Sequence, residues 1–270
     1  MRLGLIGYGT IATTLIDLMR QTLAPVDHLA VLCRPGREAE VRAALADAPA
    51  RGSSVVTDAG GLLATGCDLV VECAGHDAVR AHVPGVLRAG CDVVVVSVGA
   101  LADAGLYDDL ITAARAGGAR LILPAGAVGG IDLLAALGAS GDLAVAYRGI
   151  KPPKAWVGTP AEAAVNLAGL REATTFFTGS ARDAARDYPK NANVAATLAL
   201  AGAGFEATQV DLIADPAAPG NVHEYSVTSK LARYSMRIEN LPSGGNVKTS
   251  ATTVWSVLRE IRNRIGPVAI

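Results

Sequence analysis

Three small residues near the start of the chain have the spacing of a dinucleotide-binding turn. Gly7, Gly9 and Ala12 follow a short apolar run, and an amphipathic segment begins directly after them. The first glycine permits a sharp turn, the second lets a pyrophosphate approach the backbone, and a small third residue lets the helix pack on its strand. The N–H groups of Thr10 and Ile11 at the helix start then face the phosphates. The sequence therefore predicts a nucleotide site here, the alternative being a turn that is tight for structural reasons alone.

The end of the second predicted strand bears on which dinucleotide binds. NAD-preferring sites usually have an Asp or Glu there, which bonds the ribose hydroxyls. This chain has Arg34 and Arg37 instead, and a guanidinium offers a planar fork that suits a 2′-phosphate. Solvated loop charges are the other interpretation, so the cofactor expected from the sequence is NAD or NADP.

The elements that position this turn alternate between strand and helix. Strand-like apolar runs, separated by helical segments and short connections, occur at residues 2–6, 28–33, 68–72, 92–97 and 120–123. This order predicts an α/β fold with a doubly wound parallel sheet of the Rossmann type. Ala74 and Gly75 follow the third of these runs, at the carboxyl edge where such sheets bind ligands. We therefore expect both residues to contact the cofactor.

A change of pattern near residue 125 indicates a second domain. Beyond it, the strand-like segments are more antiparallel in character and helical stretches interrupt them, which predicts an α+β domain. We expect a dinucleotide-binding domain over residues 1–125 and an α+β substrate and dimerisation domain over residues 126–248. A C-terminal helix over residues 249–270 is expected to pack back on the first domain.

Polar stretches of the second half contain the candidate catalytic and substrate-binding residues. His223 lies where a loop meets a strand, and its polar surroundings make it the preferred acid–base candidate. His76, at the predicted sheet edge, is the next candidate. Asn193 either bonds the nicotinamide carboxamide or ribose, or is the N-cap of the following helix. Donors to substrate carboxylates are expected from Lys190, Lys248 and Thr249.

Composition excludes several classes of partner. The formal net charge is −1, so no global field attracts nucleic acid or a membrane surface. The chain has no uncharged run long enough to span a bilayer, and Met1-Arg2 leads straight into a strand without room for a signal peptide. The four cysteines form no C-x-x-C pair. We therefore expect a reduced, cytoplasmic protein that binds a small molecule and no metal.

Taken together, these segments resemble the L-aspartate dehydrogenase family. The most specific match is the run YPKNANVAAT at residues 188–197; other matching pieces lie at residues 7–9, 72–76, 95–100, 126–129, 151–160, 179–186, 214–216, 221–223 and 248–250. The resemblance implies NAD(P)-dependent, reversible oxidative deamination of L-aspartate to iminoaspartate, then oxaloacetate and ammonia. It also implies a homodimer that serves pyridine nucleotide biosynthesis. By this match, Ala127 and Asn193 fall on the family's NAD contacts and His223 on its active-site histidine.

Two other functions are alternatives to the deamination of aspartate. Residues 228–234 and 246–248 depart from the family pattern, so a dehydrogenase or imine reductase for a different amino acid on the same scaffold is the first. A non-catalytic NAD(P)-binding sensor is the second. An aldehyde dehydrogenase is disfavoured because it needs a thiolate nucleophile, and every cysteine lies in the predicted Rossmann half.

Overall fold

A parallel sheet of six strands forms the first half of the chain. The computed structural model describes residues 1–241 and 251–270. The six strands are β1 (Arg2–Ile6), β2 (His28–Leu32), β3 (Ser53–Val56), β4 (Leu69–Glu72), β5 (Asp92–Val95) and β6 (Leu121–Ile122). They lie in the order β3-β2-β1-β4-β5-β6, and every neighbouring pair is parallel. The order changes direction between β1 and β4, which is where open sheets of this kind bind ligands.

The connections between these strands are helical, as parallel neighbours require. They contain α1 (Thr10–Thr22), α2 (Glu38–Ala44), α3 (Ala59–Ala64), α4 (His76–Arg88) and α5 (Ala104–Gly117). An aspartate is the N-cap of two of these helices. The side chain of Asp58 accepts a hydrogen bond from the N–H of Gly61 in α3, and that of Asp103 accepts one from the N–H of Leu106 in α5. These bonds satisfy donors that a helix start leaves unpaired.

The second unit is built on a mixed sheet. Its elements are α6 (Ile131–Gly138), β7 (Leu143–Lys151), α7 (Ala161–Ala164), β8 (Thr174–Ser180), α8 (Ala181–Asp187), α9 (Asn193–Ala201), β9 (Gln209–Ala214), β10 (Asn221–Ser229) and β11 (Arg233–Asn240). The strand order is β11-β10-β7-β9-β8. The β7–β9 pair is parallel and the other pairs are antiparallel. Burial alternates along most of β7 and β10, so one face of the sheet is largely buried. Ile150, Ile213 and Val222 form a smaller buried cluster on the other face.

The last helix, α10 (Ala251–Ile265), contributes to the core of the first unit. Its buried residues recur at the spacing of one helix face: Val254, Val257, Leu258 and Ile261. They pack in one cluster with apolar side chains of the parallel sheet and α1. By its contacts the chain divides into Met1–Pro124 with Val254–Ile270, and Ala125–Thr253.

The predicted fold class, a Rossmann-type parallel sheet followed by an α+β domain, is confirmed. Within residues 1–241 and 251–270, no helix has the length and apolar character needed to cross a membrane. The same residues hold no group of three or more His, Cys, Asp or Glu side chains arranged to hold a metal ion.

Candidate active site

The turn between β1 and α1 has the shape that a dinucleotide pyrophosphate requires. Gly7 adopts a φ of +101°, and a Cβ placed on it would lie 2.7 Å from the Cβ of Ala74, so only glycine fits there. Gly9 is different, because a Cβ on it would meet no atom within 4 Å. Gly9 and Thr10 are exposed at the N-terminus of α1. The open space over Gly9 is therefore available to a ligand, and the residues present fit a pyrophosphate.

The two arginines after β2 differ in their surroundings. The Arg37 guanidinium pairs with the carboxylate of Glu40 and donates to the carbonyl of Tyr8 at 3.3 Å. Arg34 is exposed in the turn that precedes α2. Of the two charges, that of Arg34 is therefore better placed to contact a 2′-phosphate, since Arg37 already has a carboxylate partner.

The turn after β4 places three predicted residues at the carboxyl edge of the sheet. Ala74 is exposed. Gly75 has a φ of +130° and precedes α4 as its N-cap. His76 is the first residue of α4 and is partly exposed. Because the β1 and β4 ends lie side by side, Ala74 stands directly against the glycine turn at Gly7.

In the second unit, strand register brings His223 to a buried tyrosine. His223 on β10 pairs with Gly149 on β7, and Tyr147 lies two residues earlier on the same face of β7. The Tyr147 hydroxyl and His223 Nδ1 share a hydrogen bond of 2.8 Å, and the two residues are only 2% and 5% exposed. A Cβ on Gly149 would lie 2.8 Å from the tyrosine hydroxyl. Gly149 therefore leaves the space through which the phenol reaches the imidazole.

Lys151, the last residue of β7, lies on the same face and is a candidate site residue that the sequence did not predict. Its Nζ donates to Oδ1 of Asn191 at 2.5 Å and lies 5.1 Å from the centre of the Trp156 ring. In the sequence this lysine is only the first residue of the family-matching segment at 151–160, and Lys190 and Lys248 are the lysines predicted to bind the substrate. The sequence signal for Lys151 is its position at the end of a strand whose side chains point alternately to the core and to solvent.

Burial changes the proton affinities of these side chains. Burial lowers the pKa of Lys151 to about 8. Burial, together with the nearby charge of Lys151, lowers the pKa of His223 to about 3. Burial also raises the pKa of Tyr147, so the phenol keeps its proton. The ordinary histidine pKa near 6.5, on which the choice of His223 as a base depended, is therefore not the one this environment provides.

The remaining predicted residues lie elsewhere in the second unit. Ala127 is buried in the turn that precedes α6, and its carbonyl accepts the side-chain amide N–H of Asn240 at 3.3 Å. Asn193 is exposed and is the first residue of α9, whose N-cap is Ala192. The interpretation of Asn193 as the N-cap is therefore wrong. The Lys190 side chain is exposed, whereas Lys248 and Thr249 lie outside the described residues.

Two family profiles match the chain in the order of its two units. One, described as "Homoserine dehydrogenase, NAD binding domain", matches residues 7–124. The other, described as "Aspartate dehydrogenase, C-terminal", matches residues 132–264. With the parallel sheet and its glycine turn, these matches define an oxidoreductase that uses NAD or NADP as cofactor.

Relatives along the whole chain identify the family. The L-aspartate dehydrogenase of Ruegeria pomeroyi is 47% identical over 264 residues, which cover 98% of this chain and 92% of that protein. The L-aspartate dehydrogenase of Pseudomonas aeruginosa is 47% identical over 203 residues, which cover 75% of this chain and 76% of that protein. The crystal structure of aspartate dehydrogenase from Thermotoga maritima superposes with a TM-score of 0.76 at 26% identity, covering 100% and 99% of the two chains. The chain belongs to the L-aspartate dehydrogenase family, which confirms the resemblance inferred from its sequence.

Replacing Gly9 by valine tests the phosphate turn. The space around Gly9 accepts a side chain without a clash, so Gly9→Val should fold normally. Its side chain should then occupy the space that a pyrophosphate needs, and affinity for NADH and NADPH should fall by about tenfold or more. Fluorescence titration measures the affinity. Gly85→Val is the matched control, since Gly85 is equally open but lies within α4; an unchanged affinity in Gly9→Val would remove the nucleotide from this turn.

Proposed function

We propose that the protein catalyses the reversible oxidative deamination of L-aspartate with NAD or NADP, giving iminoaspartate and then oxaloacetate and ammonia. The observation that carries this proposal is the 47% identity to the Ruegeria pomeroyi L-aspartate dehydrogenase over 98% of the chain. A homodimer, a cytoplasmic location and a role in pyridine nucleotide biosynthesis are further parts of the proposal, taken from the family resemblance.

Different residues are assigned to bind different parts of the cofactor. The turn at Gly7 and Gly9, with the N–H groups of Thr10 and Ile11, holds the pyrophosphate. Arg34 contacts a 2′-phosphate when the cofactor is NADP. Contacts to the rest of the cofactor are assigned to Ala74, Gly75, Ala127 and Asn193. The chemistry that the oxidised cofactor would supply when bound is acceptance of the hydride at its nicotinamide ring.

The reaction also requires that a proton leave the substrate ammonium before hydride leaves Cα. Acid–base groups work best when their pKa lies near the working pH. Lys151, with a pKa of about 8, meets this condition better than His223, with a pKa of about 3. We therefore assign the proton-accepting role to the neutral amine of Lys151, which Asn191 holds in place through its side-chain oxygen.

His223 keeps a catalytic role in this proposal, as a neutral imidazole. We assign the phenolic O–H of Tyr147, which keeps its proton, as the hydrogen-bond donor to Nδ1. This assignment leaves the ring proton of His223 on Nε2. Nε2–H can then donate to the substrate or orient the water that attacks the imine. Donors to the substrate carboxylates are assigned to Lys190, Lys248 and Thr249.

The alternative of a different amino-acid substrate depends on residues that differ from the family pattern. Of these, residues 228–234 form the end of the hairpin that joins β10 to β11. The nearest, Thr228, is separated from His223 by roughly 17 Å at the rise of a strand. The difference at this hairpin is therefore weak support for a changed substrate.

A substrate panel tests the proposed reaction. Oxidation of NADH and NADPH is followed with ammonia and oxaloacetate, and in parallel with pyruvate, 2-oxoglutarate and other keto acids. We expect oxaloacetate to give the highest kcat/KM, with aspartate as the best substrate in reverse. A higher kcat/KM with another keto acid would favour the first alternative, and cofactor binding without any turnover would favour the sensor.

Replacing His223 by alanine should lower kcat by about 10²-fold or more while leaving the Kd of the cofactor nearly unchanged. The reason is that the variant removes the donor assigned to the substrate and leaves the glycine turn intact. Steady-state kinetics and NADPH titration measure the two quantities. His28→Gln is the control, because His28 on β2 bonds to Ser54 and should keep wild-type kcat. Near-wild-type turnover in His223→Ala would make this histidine structural and His76 the next candidate.

The pH dependence of aspartate oxidation tests the role of Lys151. Its amine accepts a proton only when neutral, so kcat/KM should rise as pH increases through about 8 and then level off. In Lys151→Met this ionisation should be absent. Lys154→Met, three residues further along and exposed, should keep the wild-type profile. An unchanged ionisation in Lys151→Met would assign the proton transfer to another group.

A further inference from the structure

Glu72, the last residue of β4, is a fully buried carboxylate in the first unit. Its Oε1 accepts the backbone N–H groups of Ala74 at 2.7 Å and Gly75 at 2.8 Å, and the Ser97 hydroxyl at 3.1 Å. Its Oε2 accepts the backbone N–H of Ser97 at 3.1 Å. Burying a carboxylate is costly unless its oxygens are hydrogen-bonded, and here four donors surround it.

These bonds fix the backbone at the carboxyl edge of the sheet. Gly75 holds a φ of +130° while its N–H points to Glu72, and Ser97 follows the end of the neighbouring strand β5. The carboxylate therefore joins the ends of two adjacent strands and sets the path of the turn that starts α4. Ala74, within this turn, stands against the glycine turn at Gly7.

Strand order indicates which half of the cofactor this turn meets. β2 and β4 flank β1 on opposite sides, and the pyrophosphate lies at the β1–α1 turn between them. The end of β2 faces the adenosine ribose in folds of this kind. The end of β4, on the other side, then faces the nicotinamide half.

We propose that Glu72 is a positioning residue, which holds the Ala74–Gly75 turn in the conformation that binds the nicotinamide half of the cofactor. The inference rests on the proposed contact of Ala74 and Gly75 with the cofactor and not on the proposed aspartate chemistry. A carboxylate with a purely structural role would stabilise the fold without favouring one half of the dinucleotide.

The variant Glu72→Gln separates these two roles. Its amide nitrogen replaces one acceptor oxygen by a donor. In one orientation the N–H groups of Ala74 and Gly75 lose their acceptor, and in the other the N–H of Ser97 does, so either the turn itself or its link to the end of β5 is broken. We expect the Kd of NADH and NADPH to rise by about tenfold or more. ADP, which contains adenosine and pyrophosphate but no nicotinamide, should bind with a Kd within about twofold of the wild-type value. Isothermal titration calorimetry measures both ligands without any turnover.

Asp92→Asn is the matched control. Asp92 is a buried acid of the same unit, 7% exposed, but it begins β5 at the opposite edge of the sheet and pairs with Arg120 and Arg264. Its variant should lower the urea midpoint of unfolding and leave both Kd values within about twofold. Gly9→Val should instead weaken NADH, NADPH and ADP together.

Two outcomes would overturn the proposal for Glu72: an unchanged Kd for NADH and NADPH, or equal losses for the dinucleotides and ADP. If Glu72→Gln does not fold, Ser97→Ala removes only the hydroxyl donor and leaves the backbone bonds in place. It should raise the dinucleotide Kd by about threefold and leave that of ADP unchanged, and wild-type values for both ligands would overturn the proposal. Because aspartate turnover is not measured, a failure here is distinct from a failure of the proposed reaction.

Discussion

The close packing of two turns at the carboxyl edge of the parallel sheet is the constraint on which the first unit depends. Ile6 at the end of β1 pairs with Glu72 at the end of β4, so the chain leaves both strands at the same level. The turns that follow have no room for a side chain at Gly7, whose Cβ would fall 2.7 Å from that of Ala74. A glycine turn that leaves open space at Gly9 is therefore fixed at Gly7 by a neighbouring turn.

The second unit applies a comparable constraint through the register of an antiparallel pair. Pairing of His223 with Gly149 brings the imidazole next to a phenol, and only a residue without a side chain leaves the necessary space. A shift of register by one residue would move the histidine to the opposite face of the sheet. The pairing of β7 with β10 thus decides both the hydrogen bond of His223 and its burial.

Burial then determines how these groups hold protons. A buried cation is disfavoured, which lowers the pKa of Lys151, and two cations close together are disfavoured further, which lowers that of His223. Glu72 in the first unit is affected in the opposite direction, since burial raises its pKa while four hydrogen bonds oppose the rise. Burial thus disfavours the charged form in both units; a second cation adds to this effect at His223, and hydrogen bonds oppose it at Glu72.

The sequence by itself determined the parallel sheet, the glycine turn and the family, because these depend on local spacing: apolar runs of strand length, small residues at Gly7 and Gly9, and the run at residues 188–197. It also selected His223 from its polar neighbours. Only the tertiary structure identified Lys151, whose partner Asn191 is 40 residues away, and Tyr147, which is 76 residues from His223. Only the tertiary structure, too, shows that the pKa of His223 is lowered. Desolvation and nearby charge come from residues that strand pairing and core packing bring together. The distances between these residues in space cannot be read from their separation along the chain.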